Sequence, residues 1–314
     1  MTPSASSELS VGYLGPEGTF TEQAILTQPD LAAAQHVLCR SHSDVLFRTQ
    51  EGDVTFGFAA IENSIEGTVN VIQDTLAFDA DLLIQREVVI PITMNLLVSS
   101  GTELADVKQV ISYPHALAQV RTYIREHLPH AETIAANSTA DAARMLAEAG
   151  EHGQAAVGTA LAAERYGLEI AAPGIEDHKG NQTRFVVLAR EGIPAPTGHD
   201  KTSIVVFQRA DRPGSLLAIL QEFAARSINL TKLESRPTRQ GLGDYCFLLD
   251  LEGHISDELV ADCLKNLRAK QASVKFLGSY PAAGDHESTR AETSAAFVDA
   301  EAWLDSLRAQ QLDS

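Results

Sequence analysis

Glu176–Phe185 reads EDHKGNQTRF, and from Phe185 the run continues as FVVLA to Ala189. Eight residues, mostly polar or charged, lead from Glu176 to Thr183; Arg184 follows, and from Phe185 the pattern is that of a buried strand. A hydroxyl and a guanidinium therefore stand where a polar loop enters a core. Either this is an ordinary loop-to-strand junction, or the chain is delivering both groups to a cleft. The rest of the sequence decides what kind of fold the strand joins.

Residues 11–190 alternate strands with helices. VGYLG (Val11–Gly15) is a short strand ending in PEGT, where Thr19 or Thr21 can cap the helix TEQAILTQ. FGFAAIEN (Phe56–Asn63) is a second buried strand, and GTVNVIQDTLAF after it has helical spacing. LLIQREVVIPITMNLLVS is broken by Pro91 and reads as two strands with a crossover. VKQVISYP is a strand, HALAQVRTYIREHL one amphipathic helix, and NSTADAARMLAEAG a capped helix closed by Gly150. QAAVGTALAAERYG adds a strand and a short helix. Such alternation predicts the α/β class, with open parallel sheets and helices on both faces. Ligands of such sheets sit at the carboxyl ends of strands, where the turns GPEGTFT, ENSIEGT, SYPHA, NST and KGNQTR fall. Each offers hydroxyls or the free N–H groups of a helix start.

Residues 191–200, EGIPAPTGHD, carry two prolines and two glycines and read as a linker. Beyond it, over 201–280, the order becomes βαββαβ: TSIVVFQ, the helix PGSLLAILQEFAARS, INLTKLESRP, GDYCFLLDLEG, the helix SDELVADCLKNLRA and ASVKFLGSYP. That is an α+β module of ferredoxin-like type. Residues 281–314 read as an acidic tail, in which Phe297, Ala300, Leu304 and Leu307 recur at helical spacing.

With 24 Lys+Arg against 42 Asp+Glu, the net charge is −18, which argues against nucleic acid or an anionic membrane as partner. No apolar run approaches the roughly 20 residues of a spanning helix, and the polar start MTPSASSELS lacks the pattern of a secretory signal. Cys39, Cys246 and Cys263 have no metal-ligand spacing and read as reduced structural thiols of a cytoplasmic protein. No ligand cluster or phosphate-binding glycine loop calls for a metal or cofactor.

In its order of motifs the chain resembles the prephenate dehydratase family over about 11–280. The matching stretches are GYLGPEGTFTEQA (Gly12–Ala24), AAIENSIEGTVNVIQDTL (Ala59–Leu76), SYPHALAQ (Ser112–Gln119), NSTADAA (Asn137–Ala143), GNQTRF (Gly180–Phe185) and ESRP (Glu234–Pro237). The resemblance implies a two-lobed catalytic domain similar to periplasmic binding proteins, followed by a regulatory ACT domain. Lobe 1 would take about 11–89 and 174–190, and lobe 2 about 90–173. SYPHALAQ stands where the family's wording has His-Pro-Gln, and PGSLLAIL where its effector loop carries alanine. No chorismate mutase segment precedes Val11, so a monofunctional enzyme is expected.

The family turns prephenate into phenylpyruvate, CO2 and water. By resemblance Thr183 is the catalytic residue, its hydroxyl set against the departing oxygen; without the family it would read as a strand-edge threonine. Asn63, Ser64, Thr19, Ser112, Asn137, Ser138, Thr139, Arg184 and Phe185 are the expected substrate contacts. Helix capping is the competing reading for Asn63, Ser64 and the residues from Thr19 to Thr139. Arg184 and Lys179 either hold substrate carboxylates or pair with structural acids. Glu62 and Glu66 read as structural, because a carboxylate beside a dianion is repelled. His178 reads as loop surface, and His115 stays a candidate at a helix start.

ACT domains of the family pair and bind amino acids between subunits. The resemblance therefore implies phenylalanine as effector, held by Gly214, Ser215, Leu216, Asn229, Leu230, Glu234, Ser235, Arg236 and Pro237, in a homodimer or homotetramer. The plainer alternative makes Pro213-Gly214 a helix start and ESRP a strand end. For the whole chain, an arogenate dehydratase or a non-catalytic amino-acid sensor are the competing readings.

Overall fold

The computed structural model describes residues 9–150, 152–208, 212–239, 241, 244–271, 273–284, 302–303 and 306–309. The chain divides into two compact units, Met1–Ile193 and Pro194–Ser314.

The first unit carries strands β1 (Ser10–Leu14), β2 (Gln35–Cys39), β3 (Phe56–Asn63), β4 (Gly67–Thr68), β5 (Leu83–Pro91), β6 (Asn95–Val98), β7 (Gln109–Ser112), β8 (Glu132–Ala135), β9 (Gln154–Gly158), β10 (Glu169–Ala172) and β11 (Gln182–Ala189). They form two sheets, one ordered β2-β1-β3-β11-β5 with β4 beside β3, the other β10-β6-β9-β7-β8. Every strand of the second sheet falls in sequence between β5 and β11. The chain thus leaves the first sheet along β5 and re-enters it along β11.

That path corrects the expectation of parallel sheets. β1 runs parallel to β2 and β3, but β11 is antiparallel to β3 and to β5. In the second sheet β7 is parallel to β8 and β9, whereas β6 is antiparallel to β9 and β10. A strand that returns from an inserted lobe enters from the opposite end, and no local pattern announces this.

Several helices of the first unit open on a side-chain cap. Ser138 accepts from the Asp141 N–H to open the helix Thr139–Ala149, and Gly150 closes it with φ 59°, a left-handed conformation that glycine adopts without penalty. The single helix expected over HALAQVRTYIREHL is two, Pro114–Gln119 and Arg121–His127, broken at Val120. The cause lies far away in sequence. The Asp177 N–H donates to the Gln119 carbonyl, and the Asp177 carboxylate accepts from the Thr122 N–H at 3.1 Å, so a loop residue takes the place of the helix's own ladder.

The core of this unit spans both lobes and includes Val11, Phe58, Val88, Phe185 and Val187 near the first sheet. Phe58 and Phe185 stack across β3 and β11 with ring centroids 5.3 Å apart.

The second unit has the expected βαββαβ order. Its strands β12 (Asp200–Phe207), β13 (Leu230–Pro237), β14 (Tyr245–Glu252) and β15 (Ser273–Pro281) form an antiparallel sheet ordered β13-β14-β12-β15, with helices Ser215–Ala224 and Glu258–Lys270. Ile204, Val206, Ile219, Phe223, Leu249 and Leu267 fill its core. Part of the expected linker is built into this unit: Asp200 is buried in β12 and accepts from the Thr197 and Gly198 N–H groups, and the Pro194 carbonyl lies 3.0 Å from His254 Nε2. Of the expected tail helix, Phe297, Ala300 and Leu304 lie outside the described residues. No helix among the described residues is long and apolar enough to cross a membrane.

Phe185 is 1% exposed, so Phe185→Ala leaves a cavity against the Phe58 ring. Urea unfolding of this variant is expected to show a loss of about 3–5 kcal/mol.

Candidate active site

β3 and β11 pair so that Thr183 lies opposite Asn63 and Arg184 opposite Glu62, with a register shift before Phe185 opposite Ala60. Consecutive strand residues point to opposite faces, and these three have different neighbours. Thr183 accepts a hydrogen bond from Asn63 Nδ2 at 2.8 Å. Arg184 Nε donates to Glu87 Oε2 at 2.5 Å, and its Nη1 lies 3.5 Å from Glu62 Oε2. Phe185 is in the core.

Around Thr183 the polar groups form a connected chain. Asn63 Nδ2 also donates to Asn181 Oδ1 (2.9 Å), which accepts from Ser64 Oγ as well (3.2 Å). Asn181 Nδ2 donates to Gln119 Oε1 at 3.0 Å, and Gln119 Nε2 donates to Glu66 Oε1 at 2.9 Å. His115 Nδ1 lies 2.5 Å from Glu66 Oε2, its ring stacked on Tyr113. The His115 contact, more than anything else, holds the Glu66 carboxyl below the usual range. Asn63 ends β3 of the first sheet and Ser64 and Glu66 follow it, whereas His115 and Gln119 stand on a helix of the second lobe. The chain therefore ties one lobe to the other.

Its polarity is determined. A carboxylate only accepts, so Gln119 turns its NH2 to Glu66 and its carbonyl to Asn181. At the other end Asn63 Oδ1 accepts from the Ile65 and Glu66 N–H groups, both at 2.9 Å, which leaves Asn63 only its NH2 to offer Thr183. Thr183 Oγ thus receives, and among the described residues nothing takes its proton. Thr183 is 8% exposed and adjoins the exposed Ser64 and Gln182.

Of the residues expected at the substrate, Asn63, Ser64 and Thr183 come together. The others are engaged elsewhere. Arg184 is corrected to a structural role, its guanidinium committed to Glu87 and Glu62. Phe185 is corrected to core packing. Ser112 is wholly buried, and its hydroxyl donates to the Val157 carbonyl at 2.7 Å, so it neither caps a helix nor faces a ligand. Thr19 caps the helix Phe20–Leu26. Its loop is fastened to the other lobe: Thr159 Oγ1 donates to the Gly18 carbonyl, Tyr166 OH to the Glu17 carbonyl, and buried Glu22 pairs with Arg165. Asn137 donates to Asp141 (3.2 Å), Ser138 is the cap, and Thr139 starts the helix. Arg144 is the main cause of the lowered pKa of Asp141. Lys179 donates to the Gly174 carbonyl and to Glu176, and does not pair with a site residue.

Gln119 and Asn181 escaped the sequence reading. Gln119 ends SYPHALAQ, one helical turn beyond His115, and Asn181 lies in GNQTRF. That spacing gave a shared face but not the distant Glu66 they share.

In the second unit, Gly214 opens the helix Ser215–Ala224 with φ 86°, and nothing lies within 4 Å of where a Cβ would stand. Ser215 Oγ accepts from the Arg212 N–H, and Leu216 packs on the core. β13 is an edge strand on which Leu233, Ser235 and Pro237 are exposed and Glu234 and Arg236 half-buried, 3.8 Å apart. Two expected effector contacts have other duties: Asn229 donates to Glu252 at 2.9 Å, and Leu230 packs into the core.

A two-lobed α/β unit with a hydroxyl-amide chain across its lobes, joined to a ferredoxin-like module, defines a class of small-molecule enzyme with an appended regulatory domain. Residues 11–193 match the family model of prephenate dehydratase and residues 202–269 that of the ACT domain. A prephenate dehydratase of Mycolicibacterium vanbaalenii is 44% identical over 285 residues, covering 86% of this chain and 90% of that one. The crystal structure of prephenate dehydratase from Arthrobacter aurescens in complex with L-Phe superposes with a TM-score of 0.86 at 39% identity, covering 95% of this chain and 99% of that one. A structure described as GqqA, a novel type of quorum quenching acylase, has a TM-score of 0.77 at 28% identity, covering 87% of this chain and 98% of that one. The chain belongs to the prephenate dehydratase family and carries an ACT domain.

Removing the Arg184 guanidinium takes away the cation paired with the Glu87 carboxylate, whose side chain is 1% exposed. Arg184→Ala is expected to lose about 3–5 kcal/mol of stability in denaturant unfolding, and an unchanged unfolding midpoint would refute the structural assignment.

Proposed function

We propose that this chain converts prephenate to phenylpyruvate, CO2 and water, with Thr183 presenting its hydroxyl to the oxygen that leaves. The prephenate ring already holds two of the double bonds it needs. Loss of the ring carboxylate and the para hydroxyl makes it aromatic, so the reaction runs downhill and the difficulty is hydroxide as leaving group. A proton or strong hydrogen bond at that oxygen lowers the barrier most.

One observation carries this reading: Thr183 Oγ is held as acceptor by Asn63 at 2.8 Å, while its proton is unclaimed among the described residues. A hydroxyl that accepts one hydrogen bond becomes a better donor for the next. Threonine is a poor acid, so its contribution is a directed hydrogen bond to the departing oxygen. The neutral amides beside it add no negative charge against a dianionic substrate.

The same reading makes the chain a cytoplasmic enzyme of phenylalanine biosynthesis, with phenylalanine as feedback inhibitor. Support comes from the ACT domain and from the relative crystallised with L-Phe. Gly214–Leu216 and the exposed face of β13 would meet the effector between paired modules of a homodimer or homotetramer. A coupling of about 1–3 kcal/mol between effector and active site is the usual scale.

Purified protein incubated with prephenate, and separately with arogenate, is expected to form phenylpyruvate from the first, more slowly when phenylalanine is added. Thr183→Ser keeps activity, whereas Thr183→Val loses about a hundredfold or more in kcat with an unchanged unfolding midpoint. Wild-type turnover by the valine variant would end the proposal.

A further inference from the structure

From the geometry we infer that His115 is a positioning residue, which, through Glu66, latches the two lobes at the spacing the Thr183 site requires. His115 stands where the family's wording has glutamine. It lies on the helix Pro114–Gln119, four residues before Gln119, so both side chains project from one face. Glu66 accepts on both carboxylate oxygens, from Gln119 Nε2 at 2.9 Å on Oε1 and from His115 Nδ1 at 2.5 Å on Oε2. A single carboxylate following β3 thus grips the helix of the opposite lobe at two points.

The grip is oriented on both sides. Tyr113 stacks on the imidazole with centroids 5.3 Å apart and planes 11° from parallel, which fixes the ring edge presented to Glu66. The Glu66 N–H in turn donates to Asn63 Oδ1, the amide that holds Thr183. Gln119 passes the same grip to Asn181 and so back to Asn63. His115 therefore acts on the hydroxyl only through other residues. Losing it frees one carboxylate oxygen and lets the helix and the loop after β3 drift apart, while Asn63 keeps its own turn. The effect should fall on capture of the substrate between the lobes more than on the chemical step.

The inference rests on the dehydratase reading for its kinetic readout but not for its structural one. His115→Ala, Glu66→Gln, the double variant and His115→Gln are compared in the full chain. His115→Ala and Glu66→Gln are each expected to raise the KM for prephenate five- to tenfold with kcat within about threefold, and the double variant to be no worse than either, because the two residues act as one unit. His115→Gln, which still offers an N–H to the carboxylate, restores most of the loss. Hydrogen exchange without substrate is expected to quicken over 114–119 and 64–67 in His115→Ala and Glu66→Gln, and not in His115→Gln. Unaltered exchange in both single variants, or additive effects on KM, would overturn the latch even if wild-type protein turns over prephenate. Absence of wild-type turnover with quickened exchange would instead sink the dehydratase reading and leave the latch supported.

Discussion

Asn63 carries the arrangement because each polar atom of its amide has its partners fixed. Its Oδ1 closes the turn after β3 by accepting from two successive backbone N–H groups, those of Ile65 and Glu66. The turn continues through Gly67, at φ 78°, into β4, which pairs back on β3 with Asn63 opposite Gly67. A side chain other than glycine would strain that return. With the carbonyl oxygen held there, the NH2 faces Asn181 and Thr183. Were the amide reversed, its oxygen would take the Thr183 proton, and the hydroxyl would have nothing left to donate. A local turn thus decides whether a remote hydroxyl is a donor.

The same economy appears along β11. Pairing with β3 on one side and β5 on the other fixes the strand's register, and alternation then separates neighbouring residues by face. Thr183 joins the amide chain, Arg184 neutralises Glu87, and Phe185 stacks on Phe58. The register shift after Arg184 lets the polar pair sit at the strand's entrance while Phe185 onward stays aligned with the core. The hydroxyl joins the amide chain between the lobes, and the guanidinium pairs with Glu87 and Glu62.

Much of this fold was legible because its signals are local. The proline at 91 ends a strand, Gly150 ends a helix in the conformation glycine favours, and the second unit shows its helix and strand periods in βαββαβ order. Strand direction was not legible. β11 reads like any buried strand, and only its return from an inserted lobe makes it antiparallel. The break at Val120 was invisible for a similar reason, since its cause is Asp177, more than fifty residues on. Within the site, nearness in sequence misled. Ser112, Arg184 and Phe185 stand in motifs with site residues, yet a motif does not say which way each side chain points. Gln119 and Asn181 were hidden conversely: a buried amide declares itself only once its partners are known.

The chain's net charge of −18 makes the choice of neutral groups at Thr183 intelligible. An anionic ligand meets an unfavourable overall field, for which cations at the site are the natural remedy. Yet Arg184, Arg165, Arg144 and Lys179 are each paired with an acid of this chain. A buried guanidinium without a partner would raise the desolvation penalty, and one with a partner has little field left for a ligand. Amides and a hydroxyl avoid both difficulties, because they are satisfied by one another at modest cost and carry no charge to strip of water. Polarity supplied by orientation can do at a leaving oxygen what a charge would do less selectively: it stabilises the developing anion without attracting carboxylates to the same spot. Under the proposed reaction that distinction matters, because prephenate carries two carboxylates and one oxygen that must leave, and only a group aimed by its surroundings tells them apart.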